Sequence, residues 1–222
     1  MLQLRNGAPL PASFTEYKKV MQKYTTAVIL LTALTLSTFA LAQNTKATTD
    51  YLKIPGPIAF ENKLYHLSWS SHPAANFYKQ EYTVKGSPAN HYSSMILLDA
   101  VTGDATIKNV AGAKISELKK LKETNPFVNY EAIENPKTGE YIIDFLVTAN
   151  APDGTISIAE RNVYRYTSFT DKANNKGVLL FGVSTRGYGT EVTKFLSALK
   201  MSRKDMTTKV AQFKMPEPTI TK

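Results

Sequence analysis

Hydrophobic and polar residues follow two different patterns along this chain, and the change comes near residue 43. Before that point, Thr26 to Leu41 form an apolar run without a charged side chain. After it, short segments alternate between apolar and polar residues, as in half-buried β-strands. Two later segments instead repeat apolar residues at the spacing of an amphipathic helix. The pattern therefore separates a leader from a folded domain.

Six segments of the folded part carry the alternation of a strand. They span Lys63–Ser70, Phe77–Lys85, Phe127–Glu134, Glu140–Ala149, Thr155–Phe169 and Gly177–Thr185. Connectors rich in Pro, Asp, Asn and Gly join the last four, and connectors this short require antiparallel neighbours. We therefore predict an N-terminal hairpin followed by a four-strand meander. The apolar run Tyr92–Val101 is ambiguous between a buried strand and a helix.

Alternation also predicts which residues of the meander face the core. The predicted core face consists of Tyr141, Ile143, Phe145 and Val147, with Leu179, Phe181 and Val183 on the last strand. Val178 and Leu180 make that last strand apolar on its other side as well. A strand that is apolar on both sides is normally covered on both, so we expect a second layer to pack there.

Helices complete the predicted domain. Ala113–Thr124 carries an apolar stripe and stops before Pro126, and a C-terminal helix begins near residues 187–190. Ser202–Asp205 resembles a capping box, which predicts the start of a further helix that runs to Phe213. The predicted class is α+β: a mainly antiparallel sheet with packed helices, including a C-terminal one. This single domain spans residues 52–214, between a flexible tail at 43–51 and a C-terminal tail at 215–222.

The apolar run has the layout of a secretory signal peptide over residues 21–42. Lys23 gives the basic start, and Ala40 and Ala42 give the small residues required just before a cut at Gln43. A membrane anchor is the alternative, but the run is short and rich in Thr and Ser for a spanning helix. We interpret Met21 as the true start, and residues 1–20 as an upstream translation artefact or a disordered extension.

Composition narrows the compartment and the partners. The chain has no cysteine, which excludes disulfides, thiolate metal sites and a lipid-anchored lipoprotein. A cysteine-free exported protein suggests a bacterial periplasm or the extracellular medium. The formal net charge is +9, of which residues 1–42 carry +3, so the remainder carries +6. This excess is not clustered as in a nucleic-acid-binding protein, and we expect no transmembrane segment after cleavage.

One group of charged residues is a candidate for acid–base chemistry. Glu131, Asp144 and Arg161 fall on the outer face of the predicted meander, and Arg165 extends the group along its strand. Two neighbouring carboxylates beside a cation can have different pKa values and exchange a proton. The alternative is a ladder of cross-strand ion pairs on a solvated face, and we favour it.

Aromatic residues near the first hairpin suggest a binding surface. Trp69, His72 and Tyr78, together with Arg165, are the candidate binding residues, because exposed rings can stack on a sugar or a peptide. Core packing would explain most of the aromatic residues equally well. No histidine pair has metal-ligand spacing, and no glycine-rich loop has phosphate-binding spacing, so we expect no metal or cofactor.

These observations favour a non-enzymatic, exported binding module for a protein or an envelope component. The alternative hypothesis is a hydrolase that acts on an envelope polymer through Glu131, Asp144 and Arg161. The two hypotheses differ in whether such a polymer is cleaved or only bound.

Overall fold

The computed structural model describes residues 48–88 and 91–220, which build one eight-stranded antiparallel sheet and two helices. The signal-peptide prediction and its cleavage site at Ala42 and Gln43 lie outside the described residues. The strands are β1 Ile58–Phe60, β2 Lys63–Ala74, β3 Phe77–Val84, β4 Ser94–Thr102, β5 Asn129–Glu134, β6 Tyr141–Asn150, β7 Ile156–Thr170 and β8 Lys176–Tyr188. Their order across the sheet is β1-β2-β3-β4-β8-β7-β6-β5.

The pairing of β4 with β8 joins the two halves of the chain into one curled sheet. The ambiguous segment at 92–101 is the strand β4, whose residues Met95, Ile96, Leu97 and Leu98 are all buried. A central strand covered on both faces has no polar side, which is why its sequence does not alternate. The predicted hairpin is therefore part of the same sheet as the later strands.

Helix α1 spans Ile107–Thr124 and starts well before the predicted Ala113. Thr106 caps it, because the Thr106 hydroxyl accepts a hydrogen bond from the backbone N–H of Asn109 at 3.2 Å. Helix α2 spans Val192–Gln212 and follows a 3-10 turn at Gly189–Glu191. The predicted start of a separate helix at Ser202 is wrong, because the Ser202 hydroxyl donates to the Ala198 carbonyl within one continuous helix. The C-terminal helix is confirmed, and a mostly sheet structure with two packed helices is consistent with the predicted α+β class. No helix in the described ranges combines the length and the apolar character that crossing a membrane requires.

The two helices pack on opposite faces of the sheet. The core on the α1 side contains Met95, Leu97, Ala111, Leu118, Val128, Ile143, Phe145, Tyr166, Val178 and Leu180. The core on the α2 side contains Leu52, Phe60, Tyr65, Tyr82, Ile96, Leu98, Leu179, Phe181, Val183 and Val210. The expected second layer is therefore present over β8.

One detail of the predicted core is wrong. Leu179, Phe181 and Val183 lie on the α2 side, not on the side of Ile143. The register explains the difference, because Ile143 of β6 pairs with Tyr164 of β7, and Tyr164 pairs with Gly182 of β8. Residues directly opposite each other share a face, so the residues next to Gly182 along β8 point the other way.

The two faces are covered unequally. On the α2 side, helix α2 lies over β6, β7 and β8, and both ends of the domain pack over β1 to β4. The Leu52 N–H donates to the Gln80 side chain, and the Thr219 N–H donates to the Leu52 carbonyl, both at 2.9 Å. On the other side, α1 lies mainly over β5, β6 and β7. Neither helix of the described residues lies mainly over strands β2 and β3 on that side, and we call this surface the open face.

Candidate functional site

The predicted carboxylate–arginine group exists, and its members are in contact. Glu131 pairs directly with Asp144 across β5 and β6. Arg161 makes a bidentate ion pair with Asp144, from Nε to Oδ1 at 3.0 Å and from Nη2 to Oδ2 at 3.1 Å. Asp144 and Arg161 are only 5% and 4% exposed. Asp144 and Arg161 are thus buried, whereas the sequence predicted a solvated face, and Glu131 remains 56% exposed.

Helix α2 packs over this group and is held there by ion pairs and a hydrogen bond. Arg203 of α2 donates from Nε to Asp144 Oδ2 at 3.0 Å and contacts Glu131 from Nη2 at 3.1 Å. Arg161 also donates to the Arg203 carbonyl at 2.7 Å. Acid–base catalysis requires hydrogen-bond reach to a substrate, and here helix and sheet occupy the space around both groups. The arrangement holds α2 on the sheet.

Arg165 fastens the end of the same helix. Its guanidinium forms an ion pair with Glu140 at 3.0 Å and donates to the Phe213 carbonyl at 2.9 Å and the Val210 carbonyl at 3.4 Å. A cation is favourable at a helix C-terminus, where carbonyl groups lack partners. Arg165 therefore has a structural role, and it lies on the side of the sheet opposite the open face.

His72 and Tyr78 also contact the α2-side core. Their rings stack with centroids 4.2 Å apart, and the Tyr51 ring lies 5.6 Å from that of His72. Tyr78 is 3% exposed. This stack fixes the N-terminal end of the domain against β3, and it leaves little of the Tyr78 ring for a ligand.

Trp69 is the predicted binding residue that lies on the open face. It is 43% exposed and sits directly across from Glu81, after an irregularity in the pairing of β2 with β3. An indole that is half exposed on a paired strand offers a flat apolar surface with little conformational freedom to lose. The structure thus separates Trp69 from the other candidates.

Beside Trp69, the open face carries a fixed ion pair between neighbouring strands. Lys79 Nζ lies 2.7 Å from Asp99 Oδ2 and 5.1 Å from the centre of the Phe77 ring. Burial raises the pKa of the Asp99 carboxyl, while Lys79 and Lys114 oppose the rise. The other oxygen, Asp99 Oδ1, is buried and has no hydrogen-bond partner among the described residues. Such an acceptor costs free energy in a folded protein.

A second ion pair borders the open face on the other side. Arg186 donates from Nε to Glu160, and its guanidinium lies 4.1 Å from the centre of the Tyr92 ring. Glu160 also accepts from the Tyr92 hydroxyl at 3.0 Å and from Asn162 at 2.9 Å. Burial raises the pKa of the Tyr92 hydroxyl, and Glu160 adds to the rise. Each charge of this group is therefore held by several contacts.

The charges of both ion pairs affect the pKa of Glu81. Its carboxylate forms no ion pair or side-chain hydrogen bond within residues 48–88 and 91–220, although it is half-buried. Burial raises the pKa of Glu81, Lys79 and Arg186 lower it, and Asp99 and Glu160 raise it further. A half-buried carboxylate without a partner is a good acceptor for a ligand.

Gly182 leaves space on β8 for the ring of Tyr164 from the neighbouring strand. A Cβ atom there would lie 2.8 Å from the Tyr164 ring, which packs edge-on against Phe145 at 4.9 Å. The tyrosine ring therefore rests on the backbone of β8. Burial raises the pKa of the Tyr164 hydroxyl well above its usual value, so this group stays a neutral hydrogen-bonding group.

Sequence reasoning missed Lys79, Glu81, Asp99 and Arg186. A signal was present, because Asp99 interrupts the apolar segment from Met95 to Val101, and a carboxylate in a buried strand is rarely there without a reason. The described residues contain no group of three or more His, Asp or Glu side chains that could hold a metal ion. Surface hollows lined by Lys209 and by Tyr141 lie elsewhere in the described structure, and neither includes Lys79, Glu81, Asp99 or Arg186.

Comparison with known proteins gives a family without a described activity. The sequence profile of an uncharacterised protein family matches residues 52–215, which include every strand and both helices described above. A search of the curated proteins gives no match to this chain. Because the profile covers most of the chain, the protein belongs to this uncharacterised family.

Proposed function

We propose that the protein is an exported, non-enzymatic binding module that engages a protein or an envelope component through its open face. The observation that carries this proposal is the half-exposed Trp69 on the sheet, directly across from Glu81, whose carboxylate has no ion-pair partner among the described residues. Residues in this arrangement can contact a partner without first being ordered, which lowers the entropic cost of binding.

The buried position of Asp144 and Arg161 supports the binding hypothesis over the hydrolase hypothesis. A polymer cannot reach these groups unless α2 leaves the sheet, and Arg203 and Arg165 both hold α2 there. The geometry gives no specific reason to retain the envelope-polymer hydrolase as a second candidate.

Export to the periplasm or the extracellular medium is part of the proposal and rests on the leader sequence. It is tested by expressing the full chain in a bacterial host and measuring the intact mass of the protein in the exported fraction. We expect a mature chain that begins at Gln43. A protein that stays in the cytoplasm with its leader attached would contradict this part.

Binding is tested by co-sedimentation of the purified protein with an isolated envelope fraction. We expect Trp69→Ala to lower the bound fraction by about tenfold or more, as for a central aromatic contact. Phe127→Ala is the matched control, because Phe127 is 49% exposed and lies before β5, away from the open face. Equal binding of wild type and Trp69→Ala, or release of soluble polymer fragments, would contradict the proposal.

A further inference from the structure

The charges of the open face alternate in sign, and this restricts the class of ligand. Lys79 and Glu81 share one face of β3, and Asp99 and Arg186 belong to the strands that follow across the sheet. A polyanion would meet Glu81, and a polycation would meet Lys79 and Arg186. A strongly charged polymer of either sign would therefore encounter groups of its own sign, which are unfavourable at short distance.

Hydroxyl groups suit such a surface, because one hydroxyl both donates and accepts hydrogen bonds. Glu81 is an acceptor that lacks a partner among the described residues. Lys79 is a donor whose ammonium carries three N–H bonds, and its ion-pair contact is to Asp99. Adjacent hydroxyls on a ring could donate to Glu81 and accept from Lys79, which are two positions apart on one side of the strand.

Trp69 adds the apolar contact that such a ligand needs. It lies opposite Glu81 in the pairing of β2 with β3, so the indole and the carboxylate point to the same side. A sugar ring has apolar C–H groups on its faces and hydroxyls at its edge. It could rest on the indole and direct its edge towards the charged residues.

We infer that the open face binds an uncharged polysaccharide, with one sugar stacked on Trp69 and its hydroxyls bonded to Glu81 and Lys79. This inference rests on the proposed function and specifies its ligand class. The ion pair with Asp99 holds the Lys79 ammonium in place before the ligand arrives. Little side-chain entropy is then lost on binding.

The sequence provides a direct probe, because Trp69 is the single tryptophan of the chain. The purified protein is titrated with cellohexaose, chitohexaose, maltohexaose and xylohexaose while indole emission and its quenching by acrylamide are recorded. We expect at least one sugar to give a saturable change in emission and to protect the indole from acrylamide. No change for any of them up to about 10 mM, a concentration at which a site with a Kd of about 1 mM would be mostly occupied, would overturn the inference.

A pair of Glu→Gln variants tests the polar contacts. Glu81→Gln should raise the Kd for the binding sugar by about tenfold, as expected when a charged acceptor is lost. Glu131→Gln removes a carboxylate from the opposite side of the sheet, where it contacts Arg203, and should leave the Kd unchanged. Equal Kd values for the two variants would overturn the inference.

The outcomes distinguish the inference from the proposed function. If envelope binding depends on Trp69 but all four sugars leave its emission unchanged, the ligand class is wrong and the binding surface stands. If neither envelope binding nor any sugar response depends on Trp69, both are wrong.

Discussion

Replacing Asp144 by Asn is predicted to destabilise the protein strongly. The substitution keeps the shape of the side chain and removes the charge that pairs with Arg161 and with Arg203 of α2. The Arg161 side chain is only 5% exposed, so water cannot solvate its charge in place of the lost carboxylate. Arg203 is 46% exposed and keeps its contact with Glu131, so the loss falls mainly on Arg161.

The burial sets the size of the effect. Removing one partner of a buried ion pair leaves an uncompensated charge and costs about 3–5 kcal/mol of unfolding free energy. With a urea m-value of about 2 kcal/mol/M, this corresponds to a midpoint lower by roughly 2 M. Glu131→Gln is the control: Glu131 is 56% exposed, and an exposed pair of this kind contributes about 0–1 kcal/mol.

The assay is urea unfolding of the purified protein, followed by far-ultraviolet circular dichroism. Replacing both partners, Asp144→Leu with Arg161→Met, should recover most of the loss, because no unpaired charge remains in the core. An Asp144→Asn protein within about 1 kcal/mol of wild type, the range of an exposed pair, would refute the claim that α2 is held by a buried ion pair. It would mean that water reaches Arg161.

Two further predictions concern backbone space and pH. Gly177→Ala should destabilise the protein by about 3 kcal/mol in the same assay, because its Cβ would lie 2.1 Å from the Val101 carbonyl oxygen. Gly112→Ala should be neutral or stabilising, because a Cβ there would meet no described atom within 4 Å apart from its chain neighbours and the adjacent backbone of its own helix. Equal effects of the two substitutions would contradict this reasoning. Hydrogen bonds from Asn175 and the Ile220 N–H are among the contacts that lower the pKa of Asp171 from 3.8 to about 2. The contribution of Asp171 to stability is therefore present above pH 4 and is lost as the pH falls from about 4 to 2. In Asp171→Asn, the unfolding free energy should depend less on pH over that range than in wild type. An unchanged pH dependence would contradict the assignment.

Much of the sheet could be predicted because its strands alternate and its connectors are short. The pairing of Glu131 with Asp144 follows from such local pattern alone. Alternation does not determine which layer covers which face, since that depends on where a later helix packs. For this reason Asp144 was expected on a solvated face, although Arg203, far along the chain, buries it.

The open face was less predictable for a related reason. Lys79 and Glu81 read as the solvent side of an ordinary strand, and Arg186 lies in a segment distant in sequence. The pairing of β4 with β8 brings these segments together, and β4 was the segment whose periodicity was ambiguous. A buried central strand does not alternate, so its sequence does not distinguish it from a helix. Without β4 assigned as a strand, Lys79 and Glu81 on one side of it and Arg186 on the other could not be placed on one surface.

The central claim is that partners dock on the open face, and radical footprinting tests it most directly. Oxidation rates of Trp69 and Met201 are measured by mass spectrometry with and without an isolated envelope fraction. Met201 is 91% exposed on α2, on the opposite side of the sheet, and serves as the internal reference. We predict that the envelope fraction protects Trp69 and leaves Met201 unchanged. Protection of Met201 with unchanged oxidation of Trp69 would contradict the account.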